Sequence, residues 1–133
     1  MFVRIRLKAL TAATAIAILF GSNLSALSAG EMLSGNELKE FFSNKAYAYY
    51  KKNWKKHATI YYYSGGIVES RLEANGQTYT GKWYVRGDSY FTVYTLRSLK
   101  CFKVRATDSP NKFEDLYFGK IDGYFVRFSW SGV

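Results

Sequence analysis

The chain has 133 residues, 48% hydrophobic and 19% aromatic, with nineteen Lys and Arg against ten Asp and Glu for a formal net charge of +9. That length suits one ordinary domain. One cysteine, Cys101, and one histidine, His57, exclude an internal disulfide framework and a multi-histidine zinc centre.

Arg4, Arg6 and Lys8 precede an apolar run over residues 9–20, and the small and polar stretch GSNLSALSAG follows. This layout reads as a secretory signal over residues 1–29, cleaved after Ser28 or Ala29, because the run is shorter than the roughly 20 residues a membrane helix needs. A single β-rich domain over residues 30–133 is expected in the periplasm or outside the cell, with no transmembrane anchor. It keeps sixteen basic and ten acidic residues, a net charge of +6.

In LSGNELKEFF, Ser34 and Glu37 have the spacing of a capping box, and Leu33 and Leu38 that of a hydrophobic staple. A short helix is expected from there to about Asn44, with Leu38, Phe41 and Phe42 on its apolar face. The period then changes to two. Strands are expected near residues 46–52, 57–63, 67–73, 77–85, 89–95, 99–106, 112–118 and 124–130. Turn chemistry separates them at Ser64-Gly65-Gly66, Asn75-Gly76, Gly87-Asp88, Asp108-Ser109-Pro110-Asn111 and Asp122-Gly123. The expected class is mainly β: a short N-terminal helix, then about eight antiparallel strands in a meander, closed as a small barrel or curled as a half barrel. A two-sheet sandwich is the alternative.

Twelve Tyr, ten Phe and three Trp supply the core, since each ring buries on the order of 150–250 Å². Cys101, in a strand-like run beside Phe102, is expected to be buried, with a free thiol linking two chains as the alternative.

Positioned acids, bases and nucleophiles are scarce, so a non-enzymatic protein without cofactor or metal is expected. Glu114 and Asp115, adjacent in a strand, point to opposite faces. Asp122 is explained by an Asp-Gly turn. His57 and Cys101 form a thiolate pair only if the fold brings them together. Arg86-Gly87-Asp88 has the composition of an adhesive triplet, but Gly-Asp between two alternating segments reads first as a hairpin turn. Lys51, Lys52, Lys55 and Lys56 form a candidate surface for anionic partners; the plainer reading is an edge strand and turn whose lysines discourage pairing.

The order of a leader, the capped helix, YYSGGIV, GKWYVRGDSYF and KCFKV resembles the small secreted proteobacterial proteins grouped as domain of unknown function 995. The resemblance spans about residues 33–132 and rests on Gly81, Trp83 and Val85 as a core signature, with Cys101 at a later matching position. That pattern places another cysteine after the hairpin, where this chain has Tyr90 and Phe91, so no disulfide carries over. The resemblance implies an exported β domain and transfers no catalytic residue. Gly81-Lys82-Trp83 is also similar to the Gly-x-Trp that begins a strand in lipocalin-like barrels and small barrel inhibitors of proteases.

The functional expectation is therefore an exported binding domain that contacts a protein or envelope component through an aromatic sheet face. Attachment of the lysine cluster to anionic envelope components is one alternative, and a barrel pocket for a small hydrophobic ligand is another. Export disfavours nucleic acid. A monomer is expected, or a homodimer through Cys101.

Overall fold

The computed structural model describes residues 27–127. The expected leader, apart from its last three residues, and the end of the last expected strand lie outside them. Helix α1 (Gly35–Phe42) precedes β1 (Lys45–Lys51), β2 (Lys56–Tyr62), β3 (Ile67–Leu72), β4 (Thr78–Arg86), β5 (Ser89–Tyr94), β6 (Lys100–Ala106), β7 (Lys112–Tyr117) and β8 (Lys120–Arg127). Each strand pairs antiparallel with the next and β8 returns to β1, which makes an eight-stranded closed barrel. Closure excludes the half barrel and the sandwich. It also corrects the edge-strand reading of the lysine cluster, since β1 is paired on both sides.

Alternation decides the interior. Tyr47 and Tyr49 on β1, Ile60 and Tyr62 on β2, Tyr90 and Thr92 on β5 and Phe113 and Asp115 on β7 are all buried, as a period of two on a closed sheet requires. Gly81 lets β4 and β5 cross closely, because a Cβ there would lie 2.3 Å from the Val93 carbonyl oxygen. Trp83, two residues on, is buried, and its indole N–H donates to the Tyr63 carbonyl at 2.8 Å. Val85 packs against the same core from partial burial.

Helix α1 closes one end of the barrel. The Ser34 Oγ accepts the Glu37 N–H, and the Glu37 carboxylate accepts the Ser34 N–H at 2.7 Å, completing the capping box. An eight-residue helix is too short to persist alone; its apolar face holds it. Phe42 meets Tyr62 and Tyr90 at centroid distances of 4.3 and 4.5 Å, and Phe41 stacks on Tyr47 at 4.5 Å. The N-terminus of α1 rests on the β4–β5 hairpin, where the Gly35 N–H donates to Asp88 Oδ1 at 2.8 Å. Gly87 there has φ +61, so Arg86-Gly87-Asp88 is the expected hairpin turn. Its carboxylate is engaged by the helix.

Two further expectations fail. Cys101 is exposed: β6 turns Phe102, Val104 and Ala106 toward the core, so Cys101 and Lys103, of the opposite parity, face out. Asp122-Gly123 is not a turn but part of β8; the β7–β8 turn is Phe118-Gly119, both with positive φ. Gly123 serves close packing instead, since a Cβ there would lie 2.6 Å from the Tyr49 hydroxyl.

Candidate functional site

The up-and-down order places the β1–β2, β3–β4, β5–β6 and β7–β8 loops at the end opposite α1. A cavity of about 450 Å³ opens there, running into the barrel between Tyr49, Ser70, Tyr90, Thr92, Tyr94 and Asp115. Apolar side chains from α1 fill the far end, and hydroxyl groups line this one.

Asp115 is 2% exposed. It sits inside because β7 alternates from Phe113, which packs on Phe41 at 4.7 Å, so its neighbour Glu114 faces out to Arg105 at 2.6 Å. Tyr49 donates to Asp115 Oδ2 at 2.6 Å and Tyr90 to Oδ1 at 2.7 Å, tying β1, β7 and β5 across the bore. The Tyr49 hydroxyl also lies 3.0 Å from Asp122 Oδ2. Two phenol protons thus face three carboxylate oxygens. The one Tyr49 proton serves one carboxylate at a time; a proton on Asp115 permits the second arrangement, in which Asp115 donates to Tyr49 and Tyr49 to Asp122. In accord with this, burial lifts the Asp115 carboxyl from 3.8 to about 7, against the two tyrosine hydrogen bonds and with the nearby Asp122 charge adding to the rise. Burial likewise raises Tyr94, a hydrogen-bond partner of Ser70, to about 12 and drives Tyr49 and Tyr90 far up.

Two bulges supply the mouth. Tyr49 pairs with Ala58 and Tyr50 with Lys56, leaving His57 without a partner residue in the ladder. Asp115 pairs with Gly123 and Leu116 with Ile121, leaving Asp122 in the same position on β8. Extra residues of this kind re-aim side chains, and both line the cavity mouth. Desolvation and the neighbouring Lys51 charge lower the His57 pKa, while Asp122 opposes them. Lys51, Arg97 and Lys100 complete the ring, so cations surround the opening while carboxyls lie within.

The sequence-predicted residues fall in several places. Lys51 reaches the cavity mouth, Lys52 and Lys55 are exposed in the β1–β2 loop, and Lys56 pairs with Glu73 at 3.5 Å. Gly81, Trp83 and Val85 are architectural. His57 and Cys101 line different cavities, Cys101 lying on the outer wall beside Leu99 and Phe118. Its thiol is expected to react with a disulfide reagent in the native protein nearly as fast as in denaturant; protection until unfolding would contradict the outward β6 face. Asp115 escapes the sequence reading as a site residue, although its spacing of two from a core phenylalanine marks it as inward. The bulges that deliver His57 and Asp122 carry no clear sequence signal.

No protein-family model, curated protein or solved structure matches this chain.

Proposed function

We propose that the protein is a non-catalytic, exported binding domain that admits one small polar ligand through the open end of its barrel. The buried Asp115 carboxyl at the floor of the cavity carries this reading. A buried ionisable group is costly and a well-packed apolar side chain is usually cheaper, so placing it in a cavity with Tyr49, Ser70, Thr92 and Tyr94 favours polar recognition. A donor group of the ligand meets Asp115, and an anionic group meets Lys51, Arg97 or Lys100 at the mouth.

The polar lining favours this over a hydrophobic ligand. An aromatic sheet face for a partner has less support, because Tyr47, Tyr62, Tyr90 and Phe125 are inside. The non-catalytic part of the reading rests on the separation of His57 from Cys101. Export rests on the leader pattern and the family resemblance. Amide-shift titration with small amino acids and amino-sugar phosphates is expected to give saturable changes at Ser70, Thr92 and Tyr94 with at least one of them. A folded spectrum that no such compound moves at these residues, up to millimolar concentration, would overturn the reading.

A further inference from the structure

We infer that the open rim of the barrel docks on an anionic lipid surface, seating Leu96, Leu99 and Phe118 at the headgroup boundary with Arg97, Lys100 and Lys120 among the phosphates. The three apolar tips lie outside the cavity lining, although Arg97 and Lys100 also line its mouth. Leu96 is 98% exposed, Phe118 85% and Leu99 52%. All three lie in the β5–β6 and β7–β8 loops at the same end, and Leu99 and Phe118 line one shallow depression. Trp54, 48% exposed in the neighbouring β1–β2 loop, lies back against Tyr124 in a parallel stack at 4.5 Å.

Backbone conformation separates these residues from ordinary surface apolar groups. Leu96 (φ 62), Phe118 (φ 52) and Trp54 (φ 67) are left-handed. Bulky side chains are disfavoured there and Gly or Asn is preferred. Phe118 precedes Gly119 in a two-residue hairpin, where Asn-Gly is the favoured pair. Trp54 is held there by its stack on Tyr124 and Phe118 touches the Tyr117 ring at 4.5 Å, but Leu96 and most of the Phe118 surface have no such support, which points to contact outside the molecule.

Charge selects lipid as the occupant. Each apolar tip is followed by a base: Trp54-Lys55, Leu96-Arg97, Leu99-Lys100 and Phe118-Gly119-Lys120. At this end Asp122 lines the cavity and Glu73 is paired with Lys56. Asp88, Asp108 and Glu40 lie at the opposite end, in turns and in α1. The molecule therefore presents its basic end first to a negative surface, and apolar tips with adjacent cations suit the interface between headgroups and acyl chains.

The test is co-sedimentation of the full chain with vesicles of phosphatidylglycerol and phosphatidylcholine, or of phosphatidylcholine alone, alongside Phe118→Asn and Leu96→Gly. All proteins carry the same residues 1–26, so their differences report the rim. Each variant is expected to melt at or above the wild-type temperature while its partitioning onto anionic vesicles falls at least about tenfold, in line with removing one buried apolar side chain. Equal partitioning of variants and wild type, or rim-dependent binding that is as strong on neutral vesicles, overturns the proposal. So does a wild-type dimer that Phe118→Asn dissociates with vesicle binding unchanged, which assigns the rim to a second copy.

Discussion

Thermal stability is expected to fall as pH rises from about 4 to about 7, and Asp115→Asn is expected to remove most of that fall. The folded state holds the Asp115 proton up to about pH 7, whereas the unfolded chain releases it near 3.8. Between those values the native state binds more protons, so stability declines with increasing pH. This group's favourable contribution is complete below the unfolded pKa and is lost through the folded one. The interval corresponds to roughly 4 kcal/mol, a large part of what a domain of this size holds in reserve. His57 acts in the opposite direction: its lowered pKa contributes stability above the unfolded value that is lost on acidification. Its partial exposure keeps that contribution small. The amide introduced by Asp115→Asn would still offer Tyr90 or Tyr49 a carbonyl acceptor, so the variant should fold. Melting curves at several pH values for both proteins decide the matter. Parallel curves would mean that Asp115 is charged throughout and that the shared-proton arrangement with Tyr49 and Asp122 is wrong.

What can be read from the sequence follows the range of the interactions responsible. The capping box and the strand positions β1 to β7 depend on residues within a few positions of one another, and they emerge from period and turn chemistry. The β7–β8 turn is misplaced because Asp122-Gly123 satisfies the local rule for a turn, while Phe118-Gly119 breaks it by putting a phenylalanine at positive φ. Closure is open to several readings because the pairing of β1 with β8 joins residues such as Tyr49 and Phe125, far apart in the chain. The site is least legible. Its Asp115 network spans β1, β5 and β7, and His57 and Asp122 reach the mouth only through register shifts. Cys101 is misassigned for a simpler reason: residue-type preference outweighs strand parity in that reading, although Phe102 and Val104 fix the parity.

Replacing Phe42 by alanine is expected to cost about 3–5 kcal/mol, the range for removing a fully buried aromatic ring. Phe42 is completely buried, and its ring lies within 6 Å of those of Phe41, Tyr62, Trp83, Tyr90 and Phe125. Strand pairing cannot compensate, because the barrel ladder is already complete and the end of the bore has no other plug of this size among the described residues. Helix α1 has little intrinsic stability, so loss of the ring should loosen its amides in hydrogen exchange before the strands. Phe42→Leu retains most of the volume and should lose less, on the order of 1 kcal/mol. Urea unfolding of the three proteins gives the ordering directly. If alanine costs less than about 1 kcal/mol, the helix is an appendage rather than a plug. The apolar end would then not anchor the tyrosines whose hydroxyls hold Asp115.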